Sequence, residues 1–483
     1  MSNRVYFLSV LLLLLACKEE PIPIPPIPDP VIEEGVIAVY QTNADGSLVL
    51  ALSPDSLPLV SPNDEGVQIS VNPDLTYQKM EGYGAALTES SAYVLMEYLS
   101  ESERSAILKE LFSQEEGIGI SYLRLTMGAS DFSLSNYTYN DLGPGETDTD
   151  MQSFSLGKDR NYVIPVLQEI LAIAPELSIM ATPWTAPAWM KTNQRLLDGG
   201  RLTPAFYQAH ARYFVRYLAD MKAEGIPIQA ITVQNEPLHQ ASYPSMNMSS
   251  SEQKSFIRDY LGPALEEAGV ETKVIIYDHN WDDVAFPLDI LSDPTAKNFV
   301  AGTSFHCYAG DVEAMSTVQQ AHPDRGIYFT ECSGGDWSPD FGANLAWNMD
   351  NLFVGATRNW AKTVLLWNLA LDENNGPQNG GCTDCRGVIT VNSGTGNITR
   401  NVEYALLGHS AQFVKPGACR IETEDTRSSG LSQVAFQNPD QSFALLAYNH
   451  LNRPLELEIK VKDNQVFRYE LPAGTLVTFQ WEL

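Results

Sequence analysis

From about residue 78 to 414, short apolar runs alternate with amphipathic stretches. The strand-like runs fall at 121–126, 177–182, 230–234, 273–277, 303–308, 326–331 and 362–368. Between them, apolar residues recur at helical spacing over 100–112, 161–174, 203–224 and 250–268. Strands alternating with helices imply a parallel sheet of the α/β class, and about seven such units over this length predict a closed (β/α)₈ barrel. The two ends of the chain read differently. Residues 36–75 are short apolar alternations broken by turn residues, and five further strand-like runs follow Cys419. They predict one antiparallel β-sandwich to which both ends contribute. The expected organisation is a leader at 1–16, a linker at 17–35, N-terminal sandwich strands at 36–77, the barrel at 78–416 and C-terminal sandwich strands at 417–483.

The leader is too short for a membrane span. Arg4 precedes an apolar run at residues 5–16, whereas a spanning helix needs roughly 20 residues. The run ends in Leu14-Leu15-Ala16-Cys17, which resembles a bacterial lipobox. That resemblance implies cleavage before Cys17 and lipidation of it, which would anchor the protein to the bacterial outer membrane. Lys18-Glu19-Glu20 resembles a tag that sends such lipoproteins to the cell surface. The proline-rich stretch at 21–30 favours extended polyproline II and reads as a stiff spacer.

Charge narrows the partners. Sixty acidic residues against 30 basic ones give a net charge of −30, which disfavours phosphate backbones and hence nucleic acid. A neutral ligand such as a sugar meets no such repulsion. Cys382-x-x-Cys385 has no second close pair to complete a tetrahedral zinc site, so a local disulfide or a pair of packed thiols is expected and no metal or cofactor. Oligomeric state leaves no mark on the sequence.

Barrel chemistry collects at the C-terminal ends of strands. One run enters Gln234-Asn235-Glu236-Pro237, and another delivers Thr330-Glu331-Cys332. The carboxylates are 95 residues apart (331 − 236), about three βα units, so they would face each other across the barrel mouth. Trp184, Trp189, His306 and Tyr308 stand at or near other strand ends. Two facing carboxylates among aromatic and imidazole groups are what glycoside hydrolysis requires. Tyr308 is either a donor that positions Glu331 or a core tyrosine. His306 is either a site residue or a packed ring. Arg124 is expected to orient Glu331, and Glu331's charge to raise the pKa of Glu236 and keep it protonated.

Residues 78–89 (QKMEGYGAALTE), Arg124, Ser130-Asp131-Phe132, 182–191 (TPWTAPAWMK), 232–237 (TVQNEP), Asp278-His279-Asn280 and Thr330-Glu331 together resemble glycoside hydrolase family 30. Tyr83, Ala85 and Leu87 stand where that family more often has Phe, Gly and Phe. The resemblance implies a retaining β-glycosidase with Glu236 as acid/base and Glu331 as nucleophile. It also implies sugar contacts from Asp131, Trp184, Asn235 and Trp367. The Gly-rich stretch at 379–390 resembles the β-1,6-glucanase branch, with Arg386 expected to contact sugar hydroxyls and Trp184, Trp189 and Trp367 to wall the cleft. The expected activity is therefore endo-β-1,6-glucanase. An exo-β-glucosidase or glucosylceramidase is the alternative, and a non-catalytic surface glycan-binding protein the alternative of another class.

Overall fold

The computed structural model describes residues 36–54, 56–462 and 465–482. The leader, Cys17 and the linker to residue 35 lie outside the described residues, and so does the expected lipid anchor. Eight parallel strands close into a barrel, numbered here β1 (Gly82–Leu87), β2 (Tyr122–Thr126), β3 (Ser178–Thr182), β4 (Ala230–Thr232), β5 (Lys273–Asn280), β6 (Val300–His306), β7 (Gly326–Glu331) and β8 (Ala361–Leu366). β1 gives no strand-like periodicity and is expected only through the family resemblance, in which residues 78–89 look like the opening barrel strand. Its sequence, Gly-Tyr-Gly-Ala-Ala-Leu, is rich in small residues, although every position is buried. The small residues are forced by packing. A Cβ on Gly84 would lie 1.8 Å from the carbonyl oxygen of Tyr122 on β2.

The barrel interior is filled from below. Tyr122, Met180, Ala230, Ile275, Tyr328 and Leu365, from six different strands, form one buried cluster. Burying a large apolar side chain contributes roughly 1.5–3 kcal/mol, so this layer is a plug and no pore exists there. Polar side chains further up the strands are thereby confined to the C-terminal mouth.

Helices cover the outside. Glu101–Phe112 starts at a capping box, in which the Ser100 side chain accepts from the Glu103 amide while the Glu103 side chain accepts from the Ser100 amide. Val402–Ala411 is buried along its whole length because the sandwich packs against its outer side.

The sandwich draws on both chain ends. Val36–Thr42 pairs antiparallel with Leu476–Trp481, placing Tyr40 opposite Thr478. The larger sheet runs in the order 51–52, 36–42, 476–481, 443–449, 431–437, 419–422 and 72–79. A second sheet of Gln465–Leu471, Leu455–Lys462 and Val67–Ser70 packs on it, through a core including Ile37, Ile69, Leu445, Ile459, Phe467 and Trp481. Thr42 and Thr478 each hydrogen-bond the buried ring of His409, fixing the sandwich to the last barrel helix.

Candidate active site

The site is organised around Asp278, a side chain with no solvent exposure. β5 carries an irregularity between Tyr277 and His279, and Tyr277 and Asp278 both have positive φ (74° and 59°). A bulge of this kind re-aims a side chain. It turns Asp278 into the barrel, where its carboxylate accepts from Arg124 on β2 (2.9 Å), Thr232 on β4 (2.8 Å), His306 on β6 (3.2 Å) and Thr330 on β7 (2.7 Å). Burial opposes charge on Asp278, but Arg124 and His306 more than offset it and hold the carboxyl well below the usual range.

Arg124 is fully buried and spends its guanidinium on three acceptors. It donates to Glu331, to Asn235 Oδ1 at 2.8 Å and to Asp278 at 2.9 Å. Trp184 lies against it, with the Arg124 Cζ 5.0 Å from the ring centroid, and Trp367 lies at 5.6 Å.

Glu331 ends β7 and is only 5% exposed. Arg124 donates to one oxygen and the Tyr308 hydroxyl to the other, at 2.9 Å. Glu236 follows β4 with φ 41°, a left-handed conformation uncommon for a non-glycine residue. Its amide donates to the Asp278 carbonyl at 2.9 Å, which holds it there. A carboxylate oxygen of Glu236, one of Glu331 and a His306 nitrogen all lie within 4.8 Å of one another.

His306 is buried between the carboxylates. Nδ1 is 3.1 Å from Glu236 and 3.8 Å from Glu331, while Nε2 faces Asp278. Burial would lower its pKa, but Glu331, Asp278 and Glu236 outweigh it and raise the ring to about 9. Burial likewise pushes Glu236 up, but the hydrogen bond and charge of His306 outweigh it and hold the carboxyl below its ordinary value. This is opposite to the direction expected from Glu331's charge, because His306, set between the two carboxylates, favours the ionised form of Glu236. The ring is part of the site rather than a packed core histidine.

A cavity of about 370 Å³ opens above these groups, lined by Asp131, Glu236, His239, Tyr243, His279, Asn280, Tyr308, Glu331, Trp337, Trp367, Cys382 and Cys385. Asp131 is buried, and burial, then the charge of Glu331, raises its pKa well above the carboxylate range. A larger depression of about 990 Å³ lies at the opposite end of the barrel and carries none of these groups.

Several sequence-named residues lie elsewhere than expected. Trp184 and Trp367 are 3% and 4% exposed and stack on each other 5.2 Å apart, forming a floor rather than walls. Trp189 turns away, donating to Asn140 and packing on Phe206. Arg386 does not reach the cavity, because Glu403 holds its guanidinium at 2.9 Å and the carbonyl of Gly335 accepts from it at 3.3 Å. The aromatic surface at the mouth comes instead from Tyr243, Tyr308 and Trp337.

Four of the five described cysteines form two bridges, Cys382–Cys385 on the cavity rim and Cys307–Cys332. The second was not anticipated. Its signal was present, since each cysteine directly follows a site residue at a strand end, His306 or Glu331.

Comparison with known proteins agrees with this geometry. Residues 80–414 match the glycosyl hydrolase family 30 TIM-barrel domain, and 417–479 match the family 30 β-sandwich domain. An endo-1,6-beta-D-glucanase of Trichoderma harzianum, BGN16.3, is 34% identical over 83% of this chain and 84% of its own. The mouse lysosomal acid glucosylceramidase is 28% identical, over 86% of this chain and 84% of its own. Among solved structures, the endo-beta1,6-glucanase BT3312 superposes with a TM-score of 0.85 at 34% identity, covering 93% of this chain and all of that one. With barrel, sandwich and paired carboxylates in place, this chain belongs to glycosyl hydrolase family 30.

Proposed function

We propose that this protein is a retaining endo-β-1,6-glucanase. The observation that carries the linkage is that relatives named for endo-1,6-glucanase activity are 32–34% identical over most of their length, against 27–28% for those named for glucosylceramidase. The geometry supports the chemistry. Retaining pairs stand roughly 5–5.5 Å apart, whereas inverting pairs leave about 6.5–9.5 Å for a water. The spacing here, within 4.8 Å between oxygens, is of the first kind.

Glu331, oriented by Arg124 and Tyr308, acts as nucleophile. Its carboxylate attacks the anomeric carbon, the glycosidic C–O bond breaks, and the leaving oxygen takes a proton that Glu236 receives from His306 Nδ1, 3.1 Å away, and passes on. Water then attacks the same carbon, Glu236 accepts its proton, and the ester to Glu331 breaks. Asn235 gives its side-chain oxygen to Arg124, which turns its amide N–H groups toward the 2-hydroxyl of the bound sugar. Asp131 meets a hydroxyl of the bound sugar on the cavity wall it shares with Trp367. A purely glycan-binding role would require neither the Arg124 clamp on Glu331 nor the His306–Glu236 couple.

The sequence around Cys17 supports a lipid-anchored, outward-facing location on a bacterial outer membrane. A Cys17→Ala variant would then be released from the membrane fraction. For the activity, digestion of pustulan, laminarin, cello-oligosaccharides and glucosylceramide with product sizing is the test. Short β-1,6-linked oligosaccharides from pustulan alone support the reading. Glucose released from glucosylceramide with pustulan intact would replace it with the glucosylceramidase reading.

A further inference from the structure

We propose that Trp337 is the platform for the sugar on the leaving-group side of the cleaved bond, a pyranose ring stacked on its indole. The proposal rests on the glucanase reading and adds the position of a second subsite. Trp337 is 54% exposed, yet it lines the cavity that holds both carboxylates. On the wall of a cleft that takes a sugar, an exposed indole offers a flat apolar face on which a pyranose ring stacks. The other two tryptophans of the site, Trp184 and Trp367, are closed off in the floor.

Attack geometry says which sugar Trp337 meets. In the first step of a retaining mechanism the nucleophile approaches opposite the departing oxygen. Glu331 is the deeper carboxylate, with its side chain 7% exposed against 15% for Glu236. A ring held over Glu331 therefore sends its leaving group outward, toward the mouth where Trp337 stands.

The indole is also held in place, which a stacking platform requires. Its six-membered ring packs so closely on Gly335 that a Cβ there would lie 2.0 Å from it. Gly335 bridges to Cys385, the Asp336 amide donates to the Asp384 carbonyl at 2.8 Å, and the Arg386 amide donates to the Gly334 carbonyl at 3.0 Å. The loop after β7 is thus sewn to the loop closed by the Cys382–Cys385 bridge, and Arg386, anchored on Glu403, ties the seam. Such a clamp lowers the ordering cost of binding a flexible β-1,6 chain.

The test compares two substrates of the same enzyme: a β-1,6-linked glucotetraose, which fills the leaving-group side, and β-glucosyl fluoride, which leaves it empty. Trp337→Ala is expected to lose roughly ten- to a hundredfold more kcat/KM on the tetraose than on the fluoride, mostly through KM, the scale of a lost ring-stacking contact. Trp337→Phe should recover most of the difference. Gly335→Ala, whose Cβ would meet both the indole at 2.0 Å and the Asp384 carbonyl at 2.4 Å, should lose in the same direction by shifting platform and seam together. Equal losses on both substrates in Trp337→Ala would overturn the proposal. Should wild-type enzyme leave the tetraose intact and cleave another β-glucan, the linkage reading falls. The same ratio measured on that glucan then decides whether Trp337 is the platform.

Discussion

At Glu331, two donors from different strands fix both carboxylate oxygens before any substrate arrives. Replacing it with Gln removes the nucleophile, and kcat should fall by roughly three or more decades, as expected when covalent catalysis is lost. In Glu331→Ala, azide entering the vacated space should restore turnover and give the α-glycosyl azide. His306 sets the pH dependence. It faces Glu236, Glu331 and Asp278, and its ring is raised to about 9, so the proton it shares with Glu236 is lost as pH rises through that value. The alkaline limb of kcat/KM should therefore lie near pH 9. In His306→Gln, Glu236 must hold the proton alone, and the limb should move down, with kcat lowered within the roughly 10²–10⁴-fold range of general acid catalysis. An unmoved limb in the variant would separate His306 from the acid. The linked stability has the same sign: the raised ring stabilises the fold fully below its ordinary value of 6.5, and that contribution fades as pH climbs through about 9.

Between elements, the mouth is held by covalent and ionic ties rather than by strand pairing alone. Cys307–Cys332 joins the ends of β6 and β7, one residue beyond His306 and Glu331. The double variant Cys307→Ser/Cys332→Ser should lose ~2–4 kcal/mol against denaturant. Its kcat should fall more than its KM rises, because the register that sets His306 against Glu331 is what loosens. Arg386→Ala acts on the other seam. Freed from Glu403, the loop carrying Trp337 should drift, raising KM for β-1,6-glucan several-fold, about 1 kcal/mol, while kcat is largely kept. These ties explain what was legible. Strand ends with Asn-Glu-Pro and Thr-Glu-Cys announced the two carboxylates, and the 95-residue interval placed them three strands apart, just after β4 and at the end of β7. Asp278 was visible only as part of a motif, because its central place depends on a bulge with positive φ that no periodicity encodes. The tryptophans misled for a related reason. Position at a strand end does not say whether a ring points up into the cleft or folds down onto a buried guanidinium, as Trp184 does. Arg386 misled because its partner, Glu403, lies in a helix beyond the rim loop.

Val36–Thr42 and Leu476–Trp481 pair in one sheet, so the strand at 36–42 belongs to the folded unit. Removing residues 1–35 should leave stability and activity intact. Removing the strand Val36–Thr42 as well should abolish soluble expression, since it pairs with Leu476–Trp481 and packs Tyr40 on Phe413 at 4.5 Å. Limited proteolysis and calorimetry of the two truncations would compare them. The barrel-plus-sandwich plan was readable because alternating elements and terminal strand runs each have a distinct period. β1 was the exception, its small residues selected by backbone contact rather than by hydropathy. Proton NMR of pustulan hydrolysis from the first turnover reads linkage, cleavage mode and stereochemistry together. A retaining endo-β-1,6-glucanase gives β-anomeric reducing ends first, on oligosaccharides of several lengths, with α-anomers appearing only through mutarotation. α-Anomers at the outset, or pustulan left uncut, would contradict this assignment.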